Sequence, residues 1–256
     1  MAKRRRRPAP ASPHALERSY ERAVRAIEAR MRAEVKDYLA GPFKRAQRAE
    51  AASAREDARD FADLDFGPLR VRLGRLARGA GSRILDQFGR RISAWNKDDL
   101  ERLIKVDLGA EPPAVRAVLA AWRRENVDLI ESISTRLLDD VETVVTDAVR
   151  KGTRVETLAR QIGERYAVSD SRARLIARDQ VLKANADLTR QRHVEAGVTR
   201  YVWSSSRDER VRPMHADLEG RTFAWDDPPV TNLRGDRNHP GGDYQCRCVA
   251  IPILDD

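Results

Sequence analysis

Four side chains near the C-terminal end are of the types that hold soft metal ions: His215, His239, Cys246 and Cys248. Two imidazoles and two thiolates make up a tetrahedral zinc set. Asp208 and Arg210 stand just upstream, and Asp208 with His215 is a pair that a metal-assisted nuclease would use. The same residues also fit a purely structural role. Asp208 would then pair with Arg210 or cap a turn, and the His and Cys side chains would pack and hydrogen-bond in a small loop-rich module. Residue types and spacing rank the readings as polar-structural, then zinc, then catalytic. The sequence holds no P-loop, no His-Glu-x-x-His and no evident Ser/His/Asp nucleophile arrangement.

The spacing of the cysteines bears on the zinc reading. Only Arg247 separates them, whereas zinc modules usually place two to four residues between paired ligands. On a strand, residues two apart share a face with Cα atoms about 6.6 Å apart. Both thiols would then face one ion while Arg247 points away. That distance is at the upper edge of disulfide geometry, about 4.4–6.8 Å, and two cysteines do not make a disulfide framework. A reducing cytoplasm is the expected site of folding, with a disulfide the weakest option there.

These residues sit in a C-terminal stretch with its own texture. Val198 to Trp203 reads as a strand, Pro, Gly and Asp recur through residue 243, and Cys246–Leu254 reads as a second strand. A module of this size has little core of its own and needs a staple or a neighbour to pack on. A helical body precedes it. Leu16, Tyr20, Val24, Ile27, Met31, Val35 and Tyr38 form one apolar stripe, expected to stop at Gly41-Pro42. The stripe suits intramolecular packing, a coiled-coil seam or a partner-facing helix. Residues 43–60 read as a solvated helix or hinge. Gly67-Pro68, Gly74, Gly79 and Gly81 are expected to break residues 61–95 into short pieces. A strong helical pattern runs from Pro113 to Gly152. Two further helices are expected, one from Thr153 through Ile162 and one capped by Ser169 and stopping at Gly197.

The fold class expected is α+β: a mainly helical N-terminal body with a small β-containing module. Its divisions are a basic arm (1–12), a helical region (13–112), and a C-terminal region of helices (113–196) followed by the α+β module (197–256). Trp203, Trp225 and Tyr244 are expected in the core of that module, with base stacking the lesser use.

Charge points toward polyanions. The chain has 256 residues, 49 Lys plus Arg against 40 Asp plus Glu, and a net charge of +9. Most basic residues are interleaved with acids on the helices. The exception is Lys3, Arg4, Arg5, Arg6 and Arg7, a run followed by Pro8 and Pro10, which reads as a solvated arm able to neutralise phosphates without sequence preference. Prolines follow it where a secretory signal would have an apolar core. No stretch reaches the roughly 18 apolar residues of a membrane span.

One ordered series ties the C-terminal third together. It runs Ile176-Ala-Arg-Asp179, Tyr201-Val-Trp203, Asp208-Glu-Arg210-Val-Arg-Pro-Met-His215, Leu218-Glu-Gly220, His239-Pro240 and Cys246-Arg-Cys248. In order and spacing over residues 113–254 it resembles the phage Mu gpF-like head-morphogenesis family. Asp179-Gln180 stands where that pattern has a Thr-Glu-like pair. The resemblance implies a minor head protein that associates with the portal vertex during head assembly and contacts double-stranded DNA. It implies other head proteins as partners, no small-molecule substrate, no catalytic residues, and a place in the virion after assembly in the host cytoplasm. It makes Asp208, Arg210, His215, Gly220, His239, Pro240, Cys246 and Cys248 the family motif. The rival reading is a metal-dependent nuclease or hydrolase acting during DNA packaging.

Overall fold

A computed structural model describes residues 10–11, 13–51 and 58–254. The basic run Lys3–Arg7 therefore lies outside the described residues. The fold is α+β, with four long helices, α1 (His14–Ala51), α2 (Gly67–Ile104), α3 (Pro113–Lys151) and α4 (Val155–Glu195). A 3-10 turn (Ala58–Phe61) falls between α1 and α2. After α4 come β1 (Arg200–Ser204), the short helix α5 (Pro213–Asp217), β2 (Thr222–Ala224) and β3 (Val249–Ile253).

The helix starts follow local chemistry. Pro113 opens α3, where a missing N–H costs nothing. The Asp65 carboxylate takes the Gly67 N–H at 2.9 Å ahead of α2, with Pro68 next in line. Gly152 ends α3 at φ +62.

Three expectations about helix ends are corrected. α1 does not stop at Gly41-Pro42 but continues to Ala51. Proline inside a helix removes one ladder bond, and here packing outweighs that loss. Phe43 stands edge-on to Phe61 at 4.8 Å, and Ala46 is buried. α2 is one helix of 38 residues despite its glycines. Leu73, Ala77, Ala80 and Leu85 are all buried along it, and this packing holds the helix through its glycines. α4 is likewise one helix, with Ser169 buried in its interior instead of capping a new start.

The stripe on α1 is buried from Leu16 to Val35, then shifts to Leu39. Tyr38 turns outward and donates its hydroxyl to the Asp65 carbonyl at 2.5 Å.

The described chain divides into two compact units of interleaved segments. One gathers residues up to Tyr20, Asp86–Arg124 and everything from Ala177. The other gathers Glu21–Leu85 and Glu125–Ile176. The described secondary-structure elements of the second unit are all helices. Its core includes Ile27, Met31, Val35, Leu69, Leu73, Ile130, Ile133 and Leu137. Cross-helix ion pairs join Arg25 to Asp170 at 2.7 Å and Arg70 to Asp139 and Glu142 at 2.6 and 2.8 Å.

The first unit carries the sheet, ordered β2-β1-β3 and antiparallel throughout. Tyr201 pairs with Phe223 on one side and Pro252 on the other. Pro252 is tolerated because β3 is an edge strand. The period of two along β1 turns Tyr201 and Trp203 inward, and both are fully buried. Leu218, Trp225, Cys246, Cys248 and Ala250 complete that core. Tyr244 is not part of it, being 56% exposed.

Candidate functional site

The first unit turns its helical stretches into a seat for the sheet through buried polar contacts. The Asn96 amide donates to the Asn185 side chain at 2.8 Å and to the Thr189 hydroxyl at 2.7 Å. The Arg192 guanidinium donates to Asn96 Oδ1 at 2.5 Å and to the Ser93 hydroxyl at 2.6 Å. The Trp122 indole N–H reaches the Gln180 carbonyl at 3.0 Å. Tyr20, Phe88 and Trp122 form an aromatic cluster with centroids 4.6–6.2 Å apart.

On this seat α5 presents His215, which is 2% exposed. Its Nδ1 faces both thiols, Cys246 Sγ at 3.5 Å and Cys248 Sγ at 3.6 Å. The other ring nitrogen, Nε2, lies 3.0 Å from Asp243 Oδ2. Asp243 is itself held by the Asn238 amide at 2.9 Å. The Trp203 ring stands edge-on to His215 at 5.5 Å. Hydrogen bonding to Cys246, and then the charges of Cys246 and Asp243, raise the His215 pKa. The hydrogen bond shared by the thiols splits them. Cys246 is pushed down by Cys248 and His215, and Cys248 is pushed up by Cys246 and by burial.

The cysteines do not lie on a strand as expected. They precede β3, in a segment set by two anchors. Gln245 takes a left-handed φ of +57, and the Asp179 carboxylate accepts its N–H at 2.7 Å. Arg247 does point away from the thiols, toward Asp208, as a fork across both carboxylate oxygens, one contact at 2.6 Å. The fork holds the Asp208 pKa well below the usual range, at about 2. Asp208 also accepts the Arg210 N–H at 3.1 Å, capping a turn, while the Arg210 side chain is mostly exposed.

His239 does not join His215, Cys246 and Cys248. Among the described residues, those three form the one group of His, Cys, Asp or Glu that brings three ligand atoms within 4.8 Å of one another. The His239 ring is claimed by aromatic neighbours instead, with Nδ1 2.9 Å from the Tyr201 hydroxyl and the ring 4.8 Å from Trp225. Burial, and secondarily the charge of Arg190, lowers its pKa to about 4. His193 stands edge-on to Trp225 at 5.3 Å, and burial lowers its pKa to about 4 as well. Pro240 is buried beside them. Gly220 sits at φ +74, where its N–H donates to the Trp203 carbonyl at 2.8 Å. A side chain there would be strained.

Sequence reasoning missed Asp243, Arg247, Asp179 and Asn238 as participants. Asp243 carried one signal, an acid three residues ahead of Cys246 in a turn-rich run. Asp179 belongs to the ordered series by sequence and departs there from its Thr-Glu-like pair, and in the structure it fixes the backbone entering the cysteine pair.

Residues 139–251 match the family described as phage Mu protein F like protein. An uncharacterised protein of Haemophilus influenzae is 39% identical over 179 residues, which is 67% of this chain and 39% of that relative. An uncharacterised protein of Methanocaldococcus jannaschii is 32% identical over 135 residues, 52% of this chain and 20% of that relative. The chain thus spans well under half the length of these curated relatives. No solved structure matches it.

Proposed function

We propose, for a chain that belongs through residues 139–251 to the phage Mu protein F like family, a role in phage head assembly: a minor head protein that associates with the portal vertex and contacts packaged DNA. The observation that carries this reading is how the family motif is used. Asp208 is spent on Arg247, His215 on the cysteines and Asp243, and His239 on Tyr201. Gly220 closes the turn before β2. Residues spent on one another in this way define a shape, and a shape is what an assembly surface needs. No described helix is long and apolar enough to cross a membrane, which accords with a place in the head.

DNA contact rests on sequence: the net charge of +9 and five consecutive cations at Lys3–Arg7. A log–log salt slope of up to about −0.9 per neutralised phosphate is expected. Deleting residues 1–10 should weaken binding and flatten the slope, and an unchanged slope would remove the arm from the contact.

The portal claim is tested by co-expressing the full chain with the portal protein of the same phage. Co-elution on size exclusion at micromolar concentration is expected in low and moderate salt. Clean separation in both would overturn it.

A further inference from the structure

We infer that His215 Nδ1, Cys246 Sγ and Cys248 Sγ form a binding site for one zinc-class metal ion, with Asp243 as the outer carboxylate that orients the imidazole and with His239 outside the site. Three geometric facts carry this. First, two sulfurs converge on a single ring nitrogen, at 3.5 and 3.6 Å. With its other nitrogen directed at Asp243, a neutral His215 has one lone pair at Nδ1, enough for one thiol donor. A shared ion accounts for both sulfurs at once.

Second, the spacing is that of a coordination shell. Zn–S bonds of about 2.3 Å and Zn–N bonds of about 2.0 Å at tetrahedral angles give S···N edges of about 3.5 Å. Third, metal-bound histidines almost always give their other N–H to a carboxylate or carbonyl. Asp243 occupies that position at 3.0 Å, and Asn238 holds Asp243 in turn. All three donor residues are buried, so the ion would be largely shielded from bulk solvent. Three protein donors leave one tetrahedral position for solvent. The ion would tie α5 to the segment that leads into β3, the staple a module this small needs.

The test uses the full chain without a polyhistidine tag, reduced under anaerobic conditions. Protein from zinc-supplemented medium should carry about one equivalent of zinc by elemental analysis. Stripped and titrated with Co2+, it should develop a thiolate-to-cobalt charge-transfer band and the intense visible bands of tetrahedral coordination. His215→Ala and Cys248→Ser should lose both. Asp243→Asn should weaken cobalt affinity about 10–100-fold. His239→Gln, checked for native circular dichroism, should keep full stoichiometry. Folded wild-type protein that carries no zinc and gives no charge-transfer band would overturn the site, independently of any variant. Loss of the ion from folded His239→Gln would overturn the ligand set.

Discussion

The two compact units are built on different rules. In the helical unit, the core is a run of aliphatic side chains in stripes, and its polar contacts are mostly Arg–carboxylate pairs at the surface. Many side chains share one job there, so each is replaceable by something apolar of similar size. In the sheet-bearing unit each contact is between particular partners: Trp203 on His215, His239 on Tyr201 and Trp225, Arg247 on Asp208. A small core with few aliphatic residues gains definition by matching specific shapes and charges. The contrast teaches that motif residues cluster where volume alone cannot specify the fold.

The largest expected effect tests that contrast directly. Trp203→Ala should destabilise the sheet-bearing unit by about 3–5 kcal/mol, whereas Ile133→Val in the helical unit should cost about 0.5–1.5 kcal/mol. Hydrogen exchange read by peptide would assign each loss to its unit. A Trp203→Ala protein with unchanged protection in β1 and β3 would break the comparison.

Acid should separate the units next. His193 and His239 have native pKa values lowered to about 4, so they stay neutral when folded while the unfolded chain protonates near 6.5. Stability of the sheet-bearing unit should therefore fall as pH drops from about 6.5 toward 4, each histidine adding at most about 1.4 kcal/mol per pH unit, with solvent screening trimming the share of half-buried His239. Glu28 in the helical unit has the opposite sign. Burial raises its carboxyl pKa, so its destabilising charge appears as pH rises through the folded value. Glu28→Gln should stabilise that unit at neutral pH, with the gain vanishing in acid. Denaturant melts at pH 4, 5.5 and 7 of wild type, His193→Phe and Glu28→Gln would read all three slopes.

One substitution should act with opposite sign in the two regions. Gly241 has φ +86, and a methyl there would sit 2.5 Å from the Ala186 side chain, so Gly241→Ala should cost about 1–3 kcal/mol. Gly79, inside α2, has open space around it, so Gly79→Ala should gain about 0.5–1 kcal/mol. Thermal melts of both variants suffice, and matching signs would defeat the argument. The smallest effect is expected at the surface. Arg70→Ala removes two half-exposed ion pairs and should change stability by about 0–1 kcal/mol, shrinking further in high salt.

Helix boundaries were legible wherever a local signal decides them, as at the start at Pro113 and the stops at Gly152 and Gly197. Strand β1 was legible from its alternating aromatics. The continuation of α1 through Pro42 and of α2 through its glycines was not, because the contact of Phe43 with Phe61 and the buried side chains Leu73, Ala77, Ala80 and Leu85 override the local penalties. The cysteine pair and His215 were legible as a group by type. His239 was misassigned to it because a histidine's partners are lateral, and nothing in the string says that Tyr201 and Trp225 reach it first. Asp243 was missed for the converse reason: an acid in a turn-rich loop looks solvated until its neighbours are in place.

The interleaving of the units bears on heredity. The stretch matched by the family model, 139–251, begins within α3 and contains neither Ser93, Asn96 nor Trp122. Yet Arg192 and Gln180, inside that stretch, direct their bonds to those three residues. The recognisable portion is therefore not the portable portion. A recombination event that moved only the recognisable segment into another gene would carry a buried guanidinium without its acceptors, and would have to find new ones in its host. Recombination in this gene should accordingly favour breakpoints upstream of α2 over breakpoints inside α3.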